Sequence, residues 1–459
     1  MADLASRTDD LRGRLAELTE IHHVPGAALG IIQGDEQVEV ATGVTSLETG
    51  LEATTDTIFQ IGSIGKSYTA TLVMQLVDDG KVALDVPVVE YLPDLRLSDD
   101  VANKTITVRQ LLSHTSGIDG DHMQDYGRGD DCLERYVASL ADLAQNMPPG
   151  TCFSYCNSGY VLAGRLIEVM RDSTYDAALK EHILSPLGAT RSTMLPEEVM
   201  LHRFAVGHVT PPGTTEPIVA PRWMLPRALG PAGLLCQPVG ELLAFGRMHL
   251  ESGKGPDGAT VLSPESVAAM QEEQVVIPDP YVLGRGWGLG WILFDWGSDP
   301  VIGHDGNTIG QAASLRLVPS RRLAVALLMN GGQTKAVYDI LFDEIFQELT
   351  GMSLPKKPSP MVDPAGIDLV RYAGIYERAG VRITIEVTDD GLRFRLEGTS
   401  PHAQQMPDPE PIEMRPIDEE TFLGFSAAAG SDVTATFFDF DGERPGFVHL
   451  GARATPRVG

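Results

Sequence analysis

Near its N-terminus the chain carries Ile61-Gly62-Ser63-Ile64-Gly65-Lys66-Ser67-Tyr68-Thr69-Ala70. Ser63 and Lys66 stand three residues apart at the start of a predicted helix, so both side chains lie on one helix face. A serine hydroxyl is a weak nucleophile until a neighbouring base takes its proton, and a desolvated lysine amine is such a base. The segment therefore predicts a nucleophile, Ser63, and its activator, Lys66.

The sequence around this pair supports the helix. Residues 71–77 place apolar side chains at helical spacing, and Gly80 follows as a stop signal. A second Ser-x-x-Lys, at Ser353 and Lys356, contains Pro355, which does not fit inside a helix, so we interpret it as a chance match. The Ser-x-x-Lys pattern alone is weak evidence for catalysis, because an ordinary helix start with a solvated lysine has the same pattern.

Composition restricts the classes of function. The 459 residues allow roughly two to four domains, and a net charge of −28 repels nucleic acid and anionic membranes. The first residues lack the apolar region of a secretory signal, and no apolar run approaches a membrane-spanning length. The four cysteines do not form a disulfide or metal-binding pattern. We therefore expect a cytoplasmic protein without metal or cofactor, which binds neither nucleic acid nor membranes and whose oligomeric state stays open.

The order of predicted elements indicates an α+β fold. Strand signals occur at both ends of the first 350 residues and helical signals between them, which predicts a sheet domain with a helical subdomain. In chain order, the elements are a helix at 9–22, a hairpin of 27–32 and 38–41, a mainly helical region at 67–250, a hairpin of 313–318 and 323–328, and a helix at 337–349.

The C-terminal part has a different pattern. The proline-rich residues 354–361 predict a linker, which would separate a first domain, 1–353, from a second, 362–459. Short alternating runs with Asp-Gly turns predict strands in the second domain, at 381–387, 392–396 and 434–440. We expect this domain to be a small antiparallel β-barrel.

Two further motifs offer groups that an acyl-enzyme reaction needs, namely a proton donor for the leaving group and donors for the oxyanion. Tyr155-Cys156-Asn157 is the only Tyr-x-Asn in the chain. His304-Asp305-Gly306 precedes the late hairpin, and glycines on either side let the backbone approach a ligand. His449-Leu450-Gly451 shares the His-x-Gly pattern, but only the first copy lies at the edge of the predicted sheet domain.

The order Ser63-x-x-Lys66, Tyr155-x-Asn157, His304-x-Gly306 resembles the serine β-lactamase and penicillin-binding-protein superfamily. The class C β-lactamase-like branch is the most similar, with its D-aminopeptidases, esterases and acyltransferases. Residues 8–350 carry the resemblance, and the strands from Tyr372 onward resemble the lipocalin-like barrel of several members. For residues 8–350, the resemblance implies an antiparallel sheet flanked by helices plus a helical subdomain. The flanking segments that agree are 107–118, 154–160, 230–233 and 286–290.

The resemblance also implies a role for each motif residue. Ser63 would attack a carbonyl and form an acyl-enzyme, with Lys66 as base at a pKa well below its usual value of about 10.4. Tyr155 would pass the proton to the leaving group, and Asn157 would hydrogen-bond Lys66 and the substrate. Whether Lys66 or Tyr155 takes the first proton stays open.

The third motif departs from that of most β-lactamases. They usually have lysine at its first position, whereas this chain has His304, which is mostly neutral near pH 7. This exchange weakens recognition of carboxylates and is typical of esterases, D-aminopeptidases and transacylases. We expect His304 to be catalytic. If it must be neutral to accept a hydrogen bond, activity should fall as pH drops through its pKa, about 6.5 when unperturbed. Backbone N–H groups of Ser63 and of Asn307, which follows Gly306, would hold the oxyanion.

These observations predict a serine hydrolase that acts on a small ester or amide. An intracellular acyltransferase, which passes the acyl group to an amine or alcohol, is an alternative, and a non-catalytic binding protein on the same scaffold is a second one. His114, in the turn at residues 113–116, is interpreted as structural.

Overall fold

A computed structural model describes residues 4–211, 213–362, 366–399 and 408–459. Its strands in chain order are β1 (Gly26–Gln33), β2 (Glu36–Gly43), β3 (Phe59–Gln60), β4 (His208–Val209), β5 (Ile218–Val219), β6 (Cys236–Gln237), β7 (Val275–Val276), β8 (Gly286–Trp287), β9 (Ile292–Phe294), β10 (Val301–Asn307), β11 (Ala312–Val318), β12 (Leu323–Met329), β13 (Gly374–Arg378), β14 (Val381–Val387), β15 (Leu392–Gly398), β16 (Ile412–Pro416), β17 (Thr421–Ser426), β18 (Ser431–Asp441), β19 (Arg444–Leu450) and β20 (Arg453–Pro456).

The α-helices are α1 (Thr8–Ile21), α2 (Gly65–Asp78), α3 (Asp100–Thr105), α4 (Val108–Leu112), α5 (Cys132–Ser139), α6 (Asn157–Arg171), α7 (Tyr175–Leu179), α8 (Pro196–Val199), α9 (Gly230–Gly233), α10 (Val239–Leu250), α11 (Pro264–Gln271) and α12 (Thr334–Thr350). Short 3₁₀ turns supplement them, among them Gly62–Ile64, directly before α2, and Pro319–Arg321, between β11 and β12.

An eight-stranded antiparallel sheet organises the first part of the chain, in the order β2-β1-β12-β11-β10-β9-β8-β7. Successive side chains of a strand point to opposite faces, and both faces of this sheet are covered. Leu29 of β1 packs in one core with Leu15 of α1 and Leu341 of α12. Its neighbour Ala28 belongs to the other core, which contains α2, α6 and α10.

Helix α2 lies at the centre of this second core. All of its residues from Gly65 to Leu76 are buried, including the polar ones. These polar side chains bond to neighbouring loops: Ser67 Oγ donates to Gly290 O at 2.7 Å, and Thr69 Oγ1 donates to Pro231 O at 2.6 Å. The helix is therefore held between the sheet and the helical region, and Ser63 stands where it begins.

The C-terminal part folds as a second eight-stranded antiparallel sheet, β13 to β20 in sequence order. It curls into a nearly closed barrel, because Tyr376 of β13 bridges to Arg457 beside β20 and Ile375 N–H donates to Gly459 O at 3.1 Å. Its core is aromatic, with the Tyr372 ring 4.7 Å from that of Phe437. The predicted fold class, an α+β sheet domain followed by a β-barrel, is confirmed.

The barrel contacts the first part of the chain through polar bonds. Arg378 Nη1 and Arg453 Nη2 both contact Asp121, at 3.0 and 2.7 Å. On another side, Thr434 Oγ1 donates to Asp279 Oδ2 at 2.7 Å. Because Asp279 is fully buried, burial raises the pKa of its carboxyl to about 6.

The predicted helices and hairpins of the sheet domain are confirmed to within three residues at each end. The sequence does not predict the strands β7 to β10. The strands β7 to β9 have only two or three residues each, and β10 contains Gly303 and Gly306, which are more typical of a loop than of a strand. Among the described residues, no helix is both long and apolar enough to cross a membrane.

The buried Asp279 carboxyl generates a prediction about stability. Its folded-state pKa lies above the ordinary 3.8, so its contribution to stability falls as pH rises from about 4 to 6. Asp279→Asn stays neutral and can still bond Thr434, so it should raise the free energy of unfolding at pH 8 by up to about 3 kcal/mol, and by much less at pH 4. Thermal melts at both pH values measure this. The exposed Asp295→Asn is the control, and equal gains at both pH values would contradict the prediction.

Candidate active site

Ser63 and Lys66 meet as the sequence predicts. Ser63 lies half-buried in the 3₁₀ turn before α2, and Lys66 is fully buried in the first turn of that helix. Lys66 Nζ lies 3.0 Å from Ser63 Oγ and donates to Ala232 O at 2.6 Å. The backbone carbonyl therefore fixes the amine against the serine hydroxyl.

The surroundings of Lys66 favour the neutral form of its amine. Burial is the main cause that lowers the pKa of Lys66 well below its usual value, and the positive charge of Arg453 lowers it further. A neutral amine keeps a lone pair, which can accept the hydroxyl proton of Ser63. The arrangement can thus activate a nucleophile without a histidine base.

Tyr155 joins this pair from the loop before α6. Lys66 Nζ lies 4.8 Å from the centre of the Tyr155 ring. Burial raises the pKa of Tyr155 above its usual value, and a hydrogen-bonding interaction with the Ser63 side chain and the charge of Arg453 partly oppose this rise. The phenol therefore stays protonated and can serve as a proton donor.

His304 reaches the same place from β10. Its Nδ1 lies 2.6 Å from Asp305 O, a carbonyl that can only accept, so the ring proton is on Nδ1 and the lone pair on Nε2. Nε2 is buried and has no hydrogen-bond partner among the described residues. Burial, with Lys66 nearby, lowers the pKa of His304 to about 3. The expectation that activity falls through a His304 pKa near 6.5 is therefore corrected: the ring stays neutral far below that pH.

The backbone around Ser63 is packed closely enough to require glycine at Gly62 and Gly306. A Cβ on Gly306 would lie 1.8 Å from Ile61 O and 2.9 Å from Ser63 N. Gly62 has a φ of 53°, and a Cβ there would lie 2.7 Å from Asn307 N. The N–H groups of Ser63 and Asn307, which the resemblance implies as oxyanion donors, thus lie on adjacent backbone segments.

Asn157 is placed differently from what the resemblance implies. It is buried at the start of α6, next to the Tyr155 loop. Among the described residues, however, the hydrogen-bond partners of Lys66 Nζ are Ser63 Oγ and Ala232 O, and Asn157 is not one of them. The carbonyl of Ala232 makes a hydrogen bond to Lys66 where the resemblance implies one from the Asn157 amide.

The barrel contributes a group that the sequence did not reveal. The turn between β19 and β20 lies against the Tyr155 loop, where Tyr155 N–H donates to Ala452 O at 2.9 Å. The guanidinium of Arg453 lies 4.9 Å from the Tyr155 ring centre and is held by Asp121. No motif marks Arg453, because its position depends on how the barrel docks. The third motif lacks a permanent cation, but Arg453 supplies one beside Tyr155.

A cavity of about 450 Å³ lies next to α9, and its lining includes the charged Arg128, Arg222 and Arg227 but not Ser63 or Lys66. Its wall includes Leu234, which directly follows Gly233, and a Cβ on Gly233 would lie 3.1 Å from Ser63 N. Three methionines, Met123, Met194 and Met224, line it, and methionine adapts to varied apolar shapes. Within the described ranges, no group of three or more His, Cys, Asp or Glu residues is arranged to hold a metal ion.

The model of the family described as Beta-lactamase matches residues 11–349. The chain belongs to that family. Members of this β-lactamase family are largely serine hydrolases. Penicillin-binding protein 4 of Amycolatopsis lactamdurans is similar: 44% identical over 369 residues, which cover 80% of this chain and 97% of that protein.

Solved structures with the same fold include SurE with D-Leu, at a TM-score of 0.79 and 28% identity, covering 99% of this chain and 100% of that chain. D-amino acid amidase from Ochrobactrum anthropi SV3, complexed with L-phenylalanine amide, has a TM-score of 0.61 and 22% identity. It covers 74% of this chain and 99% of its own, and it supports the fold alone.

The charge of Arg453 next to this β-lactamase-family site generates a pH prediction. Arg453→Gln removes a cation that lowers the pKa of Lys66, so that pKa should rise. If labelling of Ser63 needs neutral Lys66, the acidic limb of the labelling rate should move to higher pH. The rate of fluorophosphonate labelling, measured over a range of pH, gives the position of this acidic limb. Arg444→Gln, at the far end of β19, is the control and should leave the limb in place; an unmoved limb in Arg453→Gln would contradict the prediction.

Proposed function

We propose that this protein is a serine acyl-enzyme former that acts on small esters or amides, with Ser63 as nucleophile. The observation that carries the proposal is the 3.0 Å contact between Ser63 Oγ and the buried amine of Lys66. Desolvation of a lysine amine favours the neutral form, which a base needs, and the Ala232 carbonyl orients the amine. A structural lysine would instead gain from remaining charged and solvated.

The reaction follows from the positions of the side chains. The Ser63 proton moves to Lys66 Nζ as Oγ forms a bond to the substrate carbonyl carbon. Backbone N–H groups of Ser63 and Asn307 stabilise the resulting oxyanion. The carbonyl–leaving-group bond then breaks as Tyr155 gives its hydroxyl proton to the departing alcohol or amine, and the proton held on Lys66 restores the Tyr155 hydroxyl. The acyl group remains on Ser63 until water, an amine or an alcohol removes it.

A structural neighbour indicates which acyl groups to test first. SurE, which shares the fold over its whole length at 28% identity, was crystallised with D-Leu. This likeness supports D-aminoacyl esters and amides as the first substrates to test.

The test of the nucleophile is a pair of matched variants. Ser63→Ala should lower p-nitrophenyl ester turnover by at least about 1000-fold and abolish the acyl adduct, while the melting temperature stays close to that of the parent. Ser353→Ala, in the other Ser-x-x-Lys, is the control and should keep full activity. Intact-mass spectrometry after incubation with esters, D-amino acid amides and β-lactams measures the adduct. An adduct in Ser63→Ala, or on Ser353 in a peptide map, would overturn the assignment.

The neutral His304 generates a prediction about substrates. Without a lysine at this position, kcat/KM for penicillins and cephalosporins should be lower than for a neutral p-nitrophenyl ester by at least about tenfold. His304→Lys should raise the reactivity toward carboxylate-bearing β-lactams and impair ester turnover. Efficient cephalosporin hydrolysis by the unmodified protein would show that His304 does not set this preference.

A further inference from the structure

His114 is a buried residue beside the candidate active site to which the proposed reaction gives no role. It follows α4, is 0% exposed and has a φ of 57°. Few residues other than glycine adopt this left-handed conformation, although histidine does so more often than most. The energy that such a backbone costs has to be offset by the contacts that it permits.

These contacts hold the residues on both sides of Tyr155. The carbonyl of His114 accepts the N–H of Ser154 at 2.9 Å, and its Nδ1 accepts the N–H of Cys156 at 2.9 Å. The His114 ring also stacks on the Tyr155 ring, with centroids 4.2 Å apart and planes 29° from parallel. His114 therefore holds the backbone before the tyrosine through its carbonyl, and its ring holds the backbone after the tyrosine and one face of the phenol.

The surroundings keep His114 able to accept a hydrogen bond. Since Nδ1 accepts, the ring proton is on Nε2, and a second proton would destroy the bond to Cys156. Burial is the main cause that lowers the pKa of His114 well below its usual value, and Lys66, His304 and Arg453 lower it further. The other rings that face it are those of Trp287, at 4.5 Å, Tyr160, at 5.0 Å, and Phe153, at 5.6 Å.

We propose that His114 is a positioning residue that holds the Tyr155 hydroxyl in line with Ser63 and Lys66. The inference rests on the proposed function, in which Tyr155 transfers a proton. Such transfers depend on the donor and acceptor lying within hydrogen-bonding distance, so a small turn of the Tyr155 ring slows the reaction. Ordinary core packing explains the burial of a ring at this point, but it does not require a ring nitrogen on the Cys156 N–H.

Two substitutions separate the hydrogen bond from the fold. His114→Gly accepts the left-handed backbone but removes both the acceptor and the stacked ring. His114→Asn also tolerates this backbone, and its Oδ1 can replace Nδ1 as the acceptor. For turnover of a D-amino acid amide, whose departing amine needs a proton from Tyr155, we expect kcat to fall by about 10- to 100-fold in the Gly variant, with KM changed by less than about twofold. The Asn variant should recover most of the loss.

A double-mutant cycle with Tyr155→Phe provides the decisive measurement. If His114 acts through the Tyr155 hydroxyl, His114→Gly should lower the residual rate of Tyr155→Phe by less than about twofold. An equal fractional loss in both backgrounds, or an Asn variant as slow as the Gly variant, would overturn the proposal. His114→Ala also lacks the acceptor, conflicts less with the left-handed backbone than a bulky side chain, and replaces the Gly variant if thermal melts show the latter unfolded. Failure of the proposed function itself would be recognised separately, as a parent protein that forms no Ser63 adduct.

Discussion

The removal of the Lys66 amine from water is the constraint on which the rest of the candidate site depends. A lysine prefers to be charged and hydrated, and it becomes a base only where the fold denies it both. Helix α2 does this by being buried on all sides between the sheet and the helical region. The contact to Ala232 then directs the amine to Ser63. Tyr155 and His304 are subject to the same environment, since burial keeps the first protonated and the second neutral.

The sequence predicted those parts of the molecule that depend on local patterns. Helical spacing placed Ser63 beside Lys66, and short apolar runs on either side of turn residues located β1, β2, β11 and β12. The fold class followed from the order of these elements and from a family resemblance that the comparison with known proteins confirms. The catalytic roles of the motif residues remain proposals, although the structure brings Ser63, Lys66, Tyr155 and His304 together.

Features that depend on distant parts of the chain were not predictable. Arg453 reaches Tyr155 only because Asp121 and the turn at Ala452 dock the barrel there, and sequence spacing carries no information on such docking. His114 was assigned to structure because its motif lies far along the chain from Tyr155. The low pKa of His304 also depends on burial by elements from several parts of the chain, so its ordinary value was a poor guide.

The bond from Tyr155 N–H to the carbonyl of Ala452 has a consequence for how the protein matures. Synthesis proceeds from the N-terminus, so Ser63, Lys66 and His304 can fold together while the last strands are still inside the ribosome. Tyr155 acquires its partner only when the barrel strands β19 and β20 have been released. A chain without the barrel would thus have its nucleophile in place and an incomplete proton-transfer group. The barrel thereby completes the site after the nucleophile and its base have been assembled.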